Sequence, residues 1–392
     1  MQQTHSSDVR RATLGFIGRR CLLDRLLPLV LAKWRVGVVG TLWIAVSCVT
    51  IVSAFSTTHA AGPDKPPKHK GVRLLGINVN EAEDKNFDNA FRIGRLAGLQ
   101  VVSLKLDWDY VEKKPGEYAS PWPAVADAYY SVAKVRLSLR IATLDTNCNR
   151  IPADLRGKGF DDPAVVMRFN ALVDWLAKQM PKVQIEDISI GNEVDGSLGT
   201  DSAKWKQYTV FFKATKEHAK KVWPKAKIGS SLTFGSHLGA AKRHVIELNR
   251  YTDVVMISYY PLKTDFTFRD PSVVRGDFKA ICVQYPKRAI SFTECGYSSG
   301  TRCGASKEKQ KRFVEEVFRA WDAHADQIQQ VMFVWLSDQP PDMVSWAQKY
   351  YGVRDGAFAD FIGTLGLRAY KGSGTDKPAF VALKAEAKKR GW

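Results

Sequence analysis

The sequence predicts an α/β protein, a single (β/α)8 barrel of the TIM type behind an N-terminal export segment. Three observations lead there. From residue 71 onward, apolar strand-like runs alternate with helix-like runs eight times. The first run ends GINVNEAED, without the Gly-rich phosphate turn of an open doubly wound sheet. Residues 71–392 exceed the roughly 250 that such a barrel needs and leave room for long loops.

The elements follow in chain order. The first 35 residues carry seven basic and two acidic side chains, and residues 36–55, VGVVGTLWIAVSCVTIVSAF, carry no charge. STTHAAG comes next, with Thr58 and Ala60 placed for a cut after Ala60. A basic flank, an apolar run and then small residues is the order of an export signal, and this run is also long enough to span a bilayer uncut. Residues 1–61 are therefore expected to be either a cleaved signal or a membrane anchor. The protein would then be periplasmic or extracellular, or tethered through residues 36–55. Residues 62–70, GPDKPPKHK, read as a linker, and 71–392 as the one catalytic domain.

Within that domain the strand runs are VRLLGINVN, VVSLKLDW, VRLSLRIATLD, IEDISIGNE, KIGSSLTF, DVVMISYY, RAISFTE and IQQVMFVWL. A helix-like run separates each from the next, so the strands are expected to be parallel. Asp162 and Pro163 give one helix its N-cap and first turn. Val166, Phe169, Val173, Leu176 and Met180 then form its apolar stripe. Asp270-Pro271 repeats the start, and Val314, Val317, Phe318 and Trp321 share one face of a later helix.

Composition narrows the function. Of the net charge of +18, +5 lies in the first 35 residues, leaving +13 that would favour anionic partners. No zinc-finger or RNA-recognition pattern occurs, so no nucleic-acid partner is expected. Cys148, Cys282, Cys295 and Cys303 fit no zinc spacing, no H-E-x-x-H is present, and no metal or other cofactor is expected. Export would permit disulfides among these four, in three pairings that the sequence does not rank.

In such a barrel, function sits where strands end at the C-terminal face. The polar or aromatic residues there are Asn78 and Asn80 on strand one, and Lys105, Asp107 and Trp108 on strand two. Strand three offers Asp145, and strand four Asn192 and Glu193. Strand six offers Tyr259 and Tyr260, strand seven Glu294 and strand eight Trp335. Strict alternation groups Ser189, Gly191 and Glu193 on one face and Ile290, Phe292 and Glu294 on another. Ser258 and Tyr260 pair likewise, making Tyr260 the inward tyrosine of strand six. Two carboxyls facing one mouth suit glycosidic cleavage. One protonates the leaving oxygen while the other meets the developing oxocarbenium ion. Unequal surroundings can keep one protonated and the other ionised.

GNEVD and FTECGYSS resemble clan A of the glycoside hydrolases, retaining barrels with Asn-Glu ending strand four and Glu ending strand seven. SYYPL and IGNEVD look most like the endo-β-1,4-galactanases, and TECGYSSG resembles β-1,3-glucanases. DWDYVEKKPGEY and the C-terminal LGLRAYKGSGTDKPAF are similar to other clan segments. The resemblance implies Glu193 as acid/base, Glu294 as nucleophile and Asn192 on the sugar 2-hydroxyl. It implies Tyr260 or Tyr259 orienting Glu294, and Trp335 flooring the subsite. Lys105 stands where many members carry Arg, and DGSLGTDS replaces the Gly-Leu-Trp-Pro-like stretch of galactanases. The expected activity is retaining, endo-acting hydrolysis of a polysaccharide or oligosaccharide by a monomer. The alternatives are a barrel that binds glycan without cutting it, and a transglycosylase or trimming enzyme for an anionic exopolysaccharide.

Overall fold

The computed structural model describes residues 66–392. The export segment 1–61 and the first part of the linker lie outside the described residues. Eight parallel strands build a barrel: β1 (Leu74–Asn78), β2 (Val101–Asp107), β3 (Arg136–Asp145), β4 (Ile185–Asn192), β5, β6 (Val255–Tyr259), β7 (Ile290–Cys295) and β8 (Ile328–Val334). Strand β5 comes in two pieces, Lys227–Gly229 against β4 and Ser231–Thr233 against β6, and β1 pairs with β8 to complete the ring. Strands β1–β4, β6 and β8 are rich in Val, Ile and Leu because both of their faces are covered.

Eight helices surround the ring: α1 (Phe87–Leu96), α2 (Trp122–Val132), α3 (Pro163–Gln179), α4 (Ser202–Val222), α5 (Lys242–Asn249), α6 (Val274–Gln284), α7 (Lys307–Ala323) and α8 (Pro378–Lys389). Local chemistry sets their starts. The side chains of Asp162, Asp201 and Ser306 accept hydrogen bonds from first-turn amides of α3, α4 and α7, filling donors that a helix leaves unpaired. The expected stripe of α7 is buried through Val314, Val317, Phe318 and Trp321, and α3 buries Phe169, Val173 and Leu176.

The main core lies between the outer strand faces and the helices. Inside the ring the lining is mixed: Leu74, Val101 and Met332 form a separate apolar cluster, and the Ser231 hydroxyl lies 3.1 Å from that of Thr293 and 3.3 Å from that of Ser258. Arg73 and Arg390 share the buried Asp322 carboxylate at 2.8 Å and 2.7 Å, joining the segment before β1 to the end of α8. Lys70 N also donates to Arg390 O, so the last linker residues are fastened to the barrel. Among the described residues no helix is long and apolar enough to cross a membrane.

Two insertions shape the mouth. Loop helices Pro341–Tyr351 and Gly356–Gly363 stand between β8 and α8, and a short helix, Asp195–Leu198, follows β4.

Candidate active site

Strand β4 turns sharply as it surfaces. Gly191 has φ +79°, and a Cβ there would lie 2.3 Å from Val194 Cγ1 and 2.6 Å from the Tyr208 hydroxyl, so only glycine fits. Glu193 follows at φ +45°, a left-handed backbone rare for a residue with a side chain. The Asp195 carboxylate accepts from Thr233 N at 2.9 Å and Thr233 Oγ1 at 2.6 Å, fixing this turn to the end of β5.

Strand β7 reaches the mouth through a bulge. Ile257 pairs with Phe292 and Ser258 with Glu294, which leaves Thr293 as an extra residue. The Phe292 ring stacks on Phe278 of α6 at 4.0 Å and so faces the helices, while the Thr293 hydroxyl turns into the ring. Strict alternation, which would put Phe292 and Glu294 on one face, therefore fails at this strand. The extra residue resets the phase and aims Glu294 into the mouth.

Glu294 Oε1 accepts from Arg140 Nη1, and Oε2 accepts from the Tyr260 hydroxyl at 2.6 Å. Arg140, 2 % exposed, also donates to Thr293 O, so the guanidinium holds both the carboxylate and the bulge that carries it. A carboxylate met by a guanidinium and a phenol is served as an acceptor only, the role of the ionised form. Glu193 has different surroundings. Its Oε2 accepts from the Thr146 hydroxyl at 2.7 Å. Burial, then the Glu294 charge, push its pKa from the ordinary 4.5 up to about 8. At neutral pH Glu193 therefore keeps its proton, while Glu294 is surrounded by hydrogen-bond donors.

A second network supports the pair. Asn192 Nδ2 donates to Asp145 Oδ1 at 2.8 Å, while Lys105 Nζ at 2.6 Å and the Tyr350 hydroxyl at 2.7 Å reach Asp145 Oδ2. Burial pushes Asp145 up, but the Lys105 charge and these donors outweigh it and hold its pKa below the usual range. Asn192 Oδ1 is buried without a partner. Burial and the charges of Asp145, Glu193 and Glu294 hold the Tyr351 phenol far above its ordinary range.

The structure thus brings together Glu193, Glu294, Asn192, Tyr260, Lys105 and Asp145. Asp107 bridges Lys105 at 2.9 Å and Arg150 at 3.0 Å near the rim. Trp335, half-buried, follows a cis peptide bond at the end of β8, and Asn78 closes β1. Asn80 is spent on Ser337, donating to its carbonyl and accepting from its amide at 2.8 Å each.

Two expected sugar contacts lie elsewhere. Tyr259 is fully buried among Phe234, Phe278 and Phe292, its hydroxyl donating to Asp277, because the residue before Tyr260 must face the helices. Trp108 is fully buried against Phe169, its ring N–H donating to Glu112 at 2.7 Å, because a short helix turns it outward just after β2. Neither ring is open to a ligand. Residues the sequence reading passed over are Arg140, Thr146 and Tyr350. Arg140 carried a signal, a lone charge within the apolar LSLRIATL of β3. Tyr350 carried none, since it comes from a loop helix far along the chain.

The four described cysteines are unpaired. Among the described residues no group of three or more His, Cys, Asp or Glu side chains is placed to hold a metal ion.

No family model matches the chain, and no curated protein does. Solved structures match across most of the described residues. An exo-β-1,4-mannosidase from Opitutaceae bacterium strain TAV5 superposes with a TM-score of 0.63 at 16% identity, covering 81% of this chain and 59% of that one. A GH5_18 protein from Streptomyces cattleya, in complex with GlcNAc, gives 0.62 at 13% identity over 83% and 81%. Xylanase 10B from Thermotoga maritima gives 0.60 at 13% identity over 82% and 96%. The chain has the (β/α)8 fold of these glycosidases. At such identities the likeness is one of fold, and the chemistry rests on the site.

Proposed function

We propose that this chain is a retaining β-glycoside hydrolase acting on a polysaccharide or oligosaccharide. The observation that carries the reading is the opposite setting of two strand-end carboxyls facing one mouth, Glu193 raised to about 8 and Glu294 held by Arg140 and Tyr260. Glu294 attacks the anomeric carbon as Glu193 gives its proton to the leaving oxygen, so one bond forms to the enzyme and the glycosidic bond breaks. Glu193, now ionised, takes a proton from water. That oxygen attacks the same carbon, Glu294 leaves, and the sugar departs with its configuration kept. Asn192, held by Asp145, offers its unpaired Oδ1 to the sugar 2-hydroxyl, and Trp335 floors the ring. Lys105 and Asp107 line the rim beside them, with Asn78 at the end of β1. If an acceptor sugar outruns water, the same site transfers rather than hydrolyses. The charge of +13 beyond the first 35 residues favours an anionic polymer as substrate.

The export reading belongs to the same proposal, supported by the basic, apolar and small-residue order of residues 1–61. N-terminal sequencing of the protein from soluble and membrane fractions decides between a cut after Ala60 and a tether.

The test is Glu294→Gln. Turnover on a cleaved β-glycoside is expected to fall by about 10³-fold or more, with oligosaccharide binding kept. Unchanged turnover would overturn the assignment. Persistent binding by the wild-type protein without any product would instead establish a glycan-binding barrel. In a crystal structure, a carboxyl separation of about 5–5.5 Å fits retention, and about 6.5–9.5 Å fits inversion.

A further inference from the structure

One side of the barrel mouth is bridged. Tyr350 and Tyr351 end the loop helix Pro341–Tyr351 that follows β8. The Tyr350 hydroxyl donates to Asp145 at 2.7 Å, and Asn147 Nδ2 donates to Tyr351 O at 3.0 Å. The Arg150 guanidinium lies over the Tyr350 ring, 5.8 Å from its centroid. Asp145, Asn147 and Arg150 belong to the end of β3 and its loop. In the ring β8 and β3 are separated on one side by β1 and β2. The helix therefore spans the quadrant above those two strands.

The rim below the bridge is knitted as well. Asn80 and Ser337 tie the loop after β1 to that after β8, and Lys371 and Glu83 do so again at 3.1 Å. Arg150 joins Asp107 at the end of β2 and Asp109 of the segment after it, at 3.0 Å and 2.8 Å. The second loop helix, Gly356–Gly363, leans toward β6 through Phe358 on Phe266 and Phe361 on Tyr260. Among the described residues, no hydrogen bond or ring contact joins this helix pair to the segments after β4 or β5.

A linear glycan whose middle bond lies between Glu193 and Glu294 needs passage on both sides of them. The bridge obstructs one side, and the blocked side is identifiable. Asn192 shares Asp145 with Tyr350, and Trp335 opens the loop that makes the bridge. Both groups proposed to hold the sugar on the glycone side thus stand against the wall. We infer that the site receives the non-reducing end of a β-linked chain and releases sugar from that end, in place of the internal cutting expected from the sequence. This rests on the hydrolase reading above.

The experiment uses reducing-end-labelled β-1,3- and β-1,4-linked hexaoses of glucose, galactose and mannose. Each is offered with its non-reducing end free and with that end closed by a 4,6-O-benzylidene group. From free chains, products are expected to shorten stepwise from the non-reducing end, and the closed chains to remain whole. Cleavage of closed chains, or a spread of lengths at the first time points, overturns the inference while leaving the hydrolase intact. If wild-type protein cuts neither form, these neutral chains are not its substrates. Binding of the same pairs then reads the wall by itself: preference for free ends upholds it, and equal affinity overturns it.

Discussion

Glu193 sits in a left-handed backbone conformation that costs about 1–2 kcal/mol for a residue with a Cβ. The neighbouring Gly191 turn and the Asp195–Thr233 bonds hold it there. The return is a carboxyl buried beside another carboxyl, which makes it an acid at neutral pH. Its activity is accordingly expected to fall as pH rises through about 8, where the proton it must donate is lost. Stability moves in the same sense. The folded value lies above the ordinary 4.5, so the unfolded chain ionises first. The contribution is fully present below about 4.5 and is lost as pH climbs to about 8. Glu193→Gln, which cannot ionise, should gain thermal stability relative to wild type across that window. A constant difference in melting temperature from pH 4.5 to 8 would contradict the assignment.

At the scale of elements, adjacent tyrosines at the end of β6 separate two roles. Tyr260→Phe removes the hydroxyl at 2.6 Å from Glu294. It should lower turnover about 10- to 100-fold, the equivalent of a charged hydrogen bond of about 1.5–3 kcal/mol. Tyr259→Phe removes the hydroxyl bonded to Asp277 at 2.8 Å on the helix side. It should cost about 1.5–3 kcal/mol in urea unfolding and change turnover less than about twofold. Equal effects on turnover would mean that β6 does not sort them. The choice of Tyr260 as the inward residue was legible from Ser258 and period two alone. So were the eight strands, the caps at Asp162 and Asp270, and the strand-end positions of Glu193 and Glu294, because each depends on local pattern. The bulge at Thr293 was not legible. Its partner register is set by β6 and by Arg140 of β3, residues distant in sequence. Nor was the burial of Trp108, which depends on Phe169 of α3, distant in sequence, as well as on nearby Glu112.

For the whole molecule, ring closure matters more than any single strand. Seven strands run unbroken, while β5 is divided at Ser230, its first piece serving β4 and its second serving β6. Side chains fill the gap. The hydroxyls of Ser230 and Tyr208 donate to Ile190 O at 2.8 Å and 2.6 Å, and Ser189 Oγ accepts from Ser231 N at 2.8 Å. A seam stitched by hydroxyls has fewer backbone bonds to break before it parts, so the cylinder should breathe there first. Deuterium uptake is then expected to enter the amides of 227–233 ahead of those of β2, β3 and β8, and slower uptake at 227–233 would refute it. Because Val194 N also donates to Ser231 O at 3.3 Å, each such opening would loosen the turn that holds Glu193. The weakest stave of the barrel stands beside its acid, and local breathing and proton donation would share one hinge.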